Sequence, residues 1–118
     1  MKIGLRYKGK KIFLDVERNN GMIGLMFSGK ENAKALLFNF HKNTNPALHS
    51  FFVFFPFLAI WLDGKNKISE MRIINPFSAR ILPKKSFYKV VEIPFNRRYK
   101  KIIQKLVGKR KILIGFMI

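Results

Sequence analysis

The chain has 118 residues, 48% of them hydrophobic, and no cysteine. This length fits one domain spanning residues 1–118, and the missing cysteines exclude disulfides and thiolate metal sites. With 24 basic and 6 acidic residues the net charge is +18, which favours association with nucleic acid, the ribosome or anionic lipid. The first ten residues carry frequent charges and no apolar signal core, so we expect a cytoplasmic protein.

The first predicted element is a β-hairpin. Apolar residues alternate over 3–7 and again over 12–16, and Lys8-Gly9-Lys10 between them can turn. This pattern predicts two strands with one apolar face and a basic turn. A short helical turn is predicted over 22–27, where the glycine spacing does not match a phosphate loop. A strand is then expected over 35–40, followed by a loop over 41–46.

The most apolar stretch of the chain comes next. Twelve consecutive apolar residues run from Phe51 to Leu62, interrupted in backbone terms by Pro56. A membrane-spanning helix needs about 20 apolar residues, so we predict no integral membrane segment here. Neither half alternates apolar with polar residues. This predicts two strands buried on both faces, over 48–53 and 57–62.

The second half of the chain continues the β pattern. A turn is predicted over 63–66, a return strand over 67–74, a loop as far as residue 85, and another strand over 89–94. Asn96 is a favourable N-cap and Gly108 a favourable terminator for one amphipathic helix. A last strand is predicted over 109–116. We therefore expect a mainly β fold, a small single-domain β-sandwich or open barrel with one C-terminal amphipathic helix and one short helical turn.

Several sequence blocks occur in a distinctive order. They are Gly-Leu-Met-Phe at 24–27, Ala-Leu-Leu-Phe-Asn-Phe at 35–40, Leu-His-Ser-Phe-Phe-Val-Phe-Phe-Pro at 48–56, Trp-Leu-Asp at 61–63 and Tyr-Lys-Val-Val-Glu-Ile-Pro at 88–94. This order resembles a known family, the small prokaryotic proteins called domain of unknown function 192. The form around Pro56 is similar to the archaeal branch of that family. The resemblance implies a compact β-sandwich or open barrel with no established activity. Members usually carry an aspartate two residues after the proline, where this chain has Leu58, which implies that any chemical site there is lost.

The basic residues give the leading functional hypothesis, a non-catalytic binding or accessory domain that contacts RNA or another polyanion. Alternatively, the positive charge reflects the general amino-acid composition of proteins in this lineage and has no binding role. The candidate residues lie on one side of the predicted helix, after it, and in the preceding loop. They are Arg97, Arg98, Lys100, Lys101, Lys105, Lys109, Arg110, Lys111, Lys84 and Lys85.

Two other hypotheses remain open at this point. A small-molecule pocket or enzyme site could lie at the end of the 49–63 hairpin, using His49, Asp63 and Glu92, although no nucleophile–base–orienter set is visible. The structural interpretations are a strand-end cap for His49, a turn residue for Asp63 and an ion pair for Glu92. Association of the basic helix with a membrane surface is the other alternative, and it requires an exposed apolar stripe. No metal site or cofactor is expected from the sequence.

Overall fold

In the computed structural model of the protein, residues 1–18, 25, 29–48, 50 and 53–108 are described. These residues form seven strands, a short 3-10 turn at Arg97–Tyr99 and helix α1 at Lys100–Val107. The strands are β1 (Lys2–Tyr7), β2 (Lys10–Asp15), β3 (Glu17–Arg18), β4 (Leu36–Thr44), β5 (Phe57–Leu62), β6 (Ile68–Ile74) and β7 (Phe87–Pro94). The fold is therefore mainly β with a C-terminal helix, which confirms the predicted class.

The strands form two sheets that do not close into a barrel. β1 and β2 form an antiparallel hairpin, and the other five strands form a sheet of order β3-β4-β7-β5-β6. Its pairs are antiparallel except for the short β3–β4 pair. The hairpin is joined to the larger sheet at its β6 end, where the backbone N–H of Arg6 donates to the carbonyl of Asn66 over 2.9 Å.

Strand β5, which lies between β7 and β6, is buried on both faces, as the unbroken apolar pattern predicted. All six of its residues are buried. On one face Leu58, Ile60 and Leu62 pack with the apolar side of the hairpin and with α1. On the other face Phe57 and Trp61 pack with residues from the loops that cover the sheet. Because neither face meets water, every position of the strand can be apolar.

The helix packs by the stripe that the sequence indicated. Tyr99, Ile103 and Leu106 are buried in the same cluster as β5 and the hairpin. The hydroxyl of Tyr99 accepts a buried hydrogen bond of 2.8 Å from the backbone N–H of Ala35, so the start of the helix is tied to the start of β4. The apolar stripe that the membrane-surface alternative requires is thus turned towards the sheet. No helix among the described residues is long and apolar enough to cross a membrane.

Asn96 occupies the N-cap position, but its side chain does not cap the helix. The amide nitrogen instead donates hydrogen bonds of 2.9 Å to the carbonyls of Lys30 and Ala33, and the side chain is fully buried. The prediction of a capping side chain was therefore wrong. The amide N–H groups instead pair with two carbonyls of the loop at 30–33, which ties this loop to the start of the helix.

Two predicted boundaries were also wrong. β4 continues through the predicted loop to Thr44, with an irregular register towards β7 after Asn39 and a positive φ of 58° at His41. Over 48–53, Leu48 forms an isolated bridge with Ile81, and neither Ser50 nor Val53 is in a strand. The Ser50 hydroxyl accepts a hydrogen bond from the backbone N–H of Ser78, so this segment is attached to a loop rather than to a strand. Apolar composition alone cannot separate a buried covering segment from a buried strand.

The short helical turn predicted over 22–27 lies outside the described residues except for Leu25. The strand predicted over 109–116 also lies outside them.

Candidate polyanion-binding surface

The packing of α1 fixes which side of the helix faces solvent. Because the stripe at Tyr99, Ile103 and Leu106 is buried, the opposite side is exposed, and the first turn contains no acidic residue. The structure thus places five predicted cations on one exposed side. This set, called the helix face, is Arg97, Arg98, Lys100, Lys101 and Lys105.

A second group of cations lies at the end of the β1–β2 hairpin. Lys8, Lys10 and Lys11 are all exposed, and we call them the hairpin cluster. Neither of the two ion pairs among the described residues, Lys34–Glu17 and Arg72–Glu70, involves this cluster. Its charge is therefore available to an external anion.

The helix face and the hairpin cluster meet across a groove of about 580 Å³ between β2 and α1, called the side groove. Lys11 and Phe13 line it from the strand, and Asp15 is the acid at its end. The helix contributes Arg98, Lys101 and Lys105 to the same groove. Residues about 90 positions apart in sequence therefore form one basic surface.

A larger groove of about 1250 Å³, the central groove, lies next to the side groove and shares Lys11 and Lys105 with it. Its cations are the hairpin cluster, Arg72 and Lys105, and none of its lining residues is acidic. Its apolar lining comes from Ile12, Leu58, Met71, Ile73, Leu106 and Val107. Low-dielectric walls around cations strengthen their field, so this groove extends the attraction for anions beyond the helix.

Arg72 differs from the lysines of this groove because its charge is already balanced. Its Nε donates to Glu70 over 2.6 Å, and its guanidinium also contacts the carbonyl of Leu82 and lies 5.4 Å from the Trp61 ring centroid. It is held in place as a structural group. The lysine side chains around it supply the net positive charge.

Asp63 is a turn residue at the edge of a third groove, of about 620 Å³, which is lined by the hairpin cluster, Arg6, Lys65 and Lys67. Its Oδ1 accepts backbone hydrogen bonds from Lys65 and Lys67 over 2.8 and 2.9 Å. Partial burial opposes ionisation, but these N–H groups and the two lysine charges hold the pKa of the carboxyl below its ordinary value. This agrees with the turn interpretation.

Lys84 and Lys85 lie on the other side of Arg72. They line a groove of about 380 Å³ together with Met71 and Arg72, which also line the central groove. The backbone N–H of Lys84 donates to Glu70 over 2.8 Å. The two lysines are thus contiguous with the basic surface but have an acid beside them.

Glu92 is buried in the middle of the sheet, paired in register with Leu36 on β4 and Ala59 on β5. Its burial raises the pKa of the carboxyl to about 7. The expected ion pair is not seen: no described residue forms a hydrogen bond or ion pair with this carboxyl. The nearest cation in its row is Arg72, which lies beyond Ala59 and is engaged by Glu70. Among the described residues the predicted ion-pair partner of Glu92 is thus not found.

Asp63 and Glu92, the two residues of the predicted pocket that the structure describes, are not brought together. Asp63 follows the end of β5, four residues after Ala59, which is the partner of Glu92. At about 3.3 Å per residue this separates the two positions by about 13 Å along the strand. His49 lies outside the described residues, as do Lys109, Arg110 and Lys111 of the polyanion hypothesis.

The sequence reasoning missed the hairpin cluster as part of the surface. The basic turn was visible at positions 8–11, but nothing in the sequence indicates that it lies beside a helix that starts at residue 100. One sequence signal could have indicated this cluster. Phe13 is an apolar residue at an outward position of the alternating pattern, between Lys11 and Asp15.

The sequence matches no family model and no curated protein. The fold is similar to two solved structures. One is a putative transcription regulator from Sinorhizobium meliloti, with a TM-score of 0.65, 18% identity, and coverage of 77% of this chain and 76% of that chain. The other is a protein of unknown function from Novosphingobium aromaticivorans, with a TM-score of 0.64, 11% identity, and coverage of 86% and 76%. At these identities the likeness shows the fold alone.

Proposed function

We propose that the protein is a non-catalytic binding domain of the cytoplasm that contacts RNA or another polyanion through its basic surface. The observation that carries the proposal is the contiguity of the helix face and the hairpin cluster around the side and central grooves. Cations spread over a helix and a hairpin can meet several phosphates of one chain. Contacts of this kind give affinity without sequence readout.

The local physics of the helix supports the same proposal. Arg97 and Arg98 lie at its N-terminal end, where the helix dipole disfavours cations. The net positive field at this surface is therefore not explained by helix stability. A bound anion would remove both the repulsion among the cations and the unfavourable dipole interaction.

We also propose that the chain belongs to the family called domain of unknown function 192. The matched blocks at 35–40, 61–63 and 88–94 fall on β4, on the end of β5 and on β7, the three adjacent central strands of the sheet. Leu58, at the place of the family's aspartate, is fully buried and lines the central groove. A buried leucine supplies no carboxylate at this position, which supports a binding domain over a catalytic one.

The test is binding to a labelled single-stranded RNA over a series of salt concentrations. Four to six contacted phosphates give a slope of log K against log salt of roughly −3 to −4. The triple variant Arg98→Glu, Lys101→Glu and Lys105→Glu is expected to abolish binding near physiological salt and to leave the circular dichroism spectrum unchanged. Each lost contact flattens the slope by about 0.7.

A charge-matched variant is the control. Lys34→Glu, Lys42→Glu and Arg80→Glu change the net charge by the same amount, and all three positions are exposed. They line none of the four grooves described above. Equal losses in the two variants would show that total charge, and not this surface, determines binding. Unchanged binding in the helix-face variant would refute the proposal.

A further inference from the structure

The outward face of the hairpin carries an exposed aromatic ring. Phe13 is 59% exposed, although it lies in the middle of β2 next to the buried Leu14. Its register partner on β1 is Gly4. A Cβ atom at Gly4 would lie 3.3 Å from Cε1 of Phe13 and 2.9 Å from Cε of Lys11. The ring and the lysine stem therefore occupy the space that a side chain at Gly4 would fill, and this contact orients the ring.

Cations and one acid lie near this ring: Asp15, two residues further along β2, is on the same outward face. The Lys11 ammonium lies 5.7 Å from the ring centroid, and Arg6 is the register partner of Lys11 on the same outward face. Phe13 also lines the side groove, whose opposite wall is formed by Arg98, Lys101 and Lys105 of the helix face. Proteins that bind single-stranded nucleic acid combine a positively charged groove with aromatic rings on which bases stack.

We propose that Phe13 is a stacking platform for an unpaired base of single-stranded RNA, whose phosphates lie on Lys11 and the helix face. The bases of a duplex are already stacked on both sides, so a ring on a protein surface reaches the face of an unpaired base only. This inference rests on the proposed function and narrows its ligand from polyanions in general to single-stranded nucleic acid.

The experiment compares two ligands of similar charge, a 12-nucleotide oligoadenylate and inorganic polyphosphate, which has no bases. Phe13→Ala is expected to lower the affinity for oligoadenylate by about 5- to 100-fold and to leave the affinity for polyphosphate within about twofold. The matched control is Phe54→Ala, because Phe54 is also 59% exposed and lines none of the four grooves. It is expected to change neither affinity.

A second variant keeps the test independent of folding. Phe13→Leu preserves an apolar side chain on the strand but removes the aromatic face, so it replaces Phe13→Ala if the alanine variant is unfolded. Phe13→Trp should retain binding, and its fluorescence should be quenched by oligoadenylate but not by polyphosphate. The native Trp61 is fully buried and provides a constant background.

The outcomes separate this inference from the proposed function. A loss confined to oligoadenylate in Phe13→Ala or Phe13→Leu supports the platform. Unchanged affinity for oligoadenylate, or an equal loss for both ligands in a folded variant, overturns the platform and leaves the charge-based function standing. Failure of the unmodified protein to bind either ligand at low salt overturns both.

Discussion

Replacing Glu92 by glutamine should change the way in which stability depends on pH. The carboxyl is buried in the sheet without a hydrogen-bond or ion-pair partner among the described residues. Its desolvation raises the pKa from 4.5 to about 7. Between these values the folded protein keeps the proton and the unfolded chain releases it, so the free energy of unfolding must fall as pH rises.

The magnitude follows from the pKa difference. At 1.36 kcal/mol per pKa unit, the shift from 4.5 to about 7 corresponds to about 3 kcal/mol. This stability is fully present below pH 4.5 and is lost as pH rises through 7. It is a large part of the roughly 5 to 15 kcal/mol that stabilises a typical domain. Glutamine cannot ionise and should remove this dependence.

The assay is urea unfolding of the wild type and Glu92→Gln at a series of pH values from 4.5 to 8. The difference in the free energy of unfolding, variant minus wild type, should rise by about 3 kcal/mol across this range. A constant offset from the buried amide does not affect the comparison, because it is the same at every pH. Parallel curves would refute the reasoning and would mean that the carboxyl is hydrated or paired in the folded protein.

The remaining predictions concern the three contacts that hold the surface in place. Tyr99→Phe leaves the buried N–H of Ala35 without its acceptor and should lower the free energy of unfolding by about 1 to 3 kcal/mol in urea titrations; no change would mean that water replaces the hydroxyl. Asp63→Ala should cost about 1 kcal/mol at pH 7; because the pKa of this carboxyl is lowered, the cost should shrink as pH falls below about 3.8, and a cost that stays constant into acid would contradict this. Gly4→Val should preserve stability but displace both the Lys11 stem and the Phe13 ring, so affinity should fall for both ligands and further for oligoadenylate than for polyphosphate; equal changes would show that the ring's position over Gly4 is unimportant.

Local patterns predicted much of the architecture. The alternation over 3–7 and 12–16 predicted β1 and β2, and the unbroken apolar run predicted the fully buried β5. The 3.6-residue period predicted which side of α1 packs and which side is exposed. These features depend on the periodicity of apolar side chains, which can be counted directly from the sequence.

The failures share a physical cause. Asn96 is typical of a helix cap, but its side-chain amide donates to carbonyls of the covering loop at 30–33 and does not cap the helix. Glu92 has no ion-pair partner among the described residues, because Arg72 in its row is bound by Glu70 instead. In both cases the outcome depends on which polar groups from distant segments compete at one position.

The sequence by itself determined that this protein is strongly basic, mainly β, and built with one helix whose charged side faces water. Only the tertiary structure decided that Lys8, Lys10 and Lys11 lie beside that helix and that Phe13 stands exposed between the two groups of cations. The reason is that a basic side chain is equally compatible with any solvated position. Which cations share a surface is set by the docking of the hairpin and α1 on the same face of the sheet, through apolar contacts that are distant in sequence.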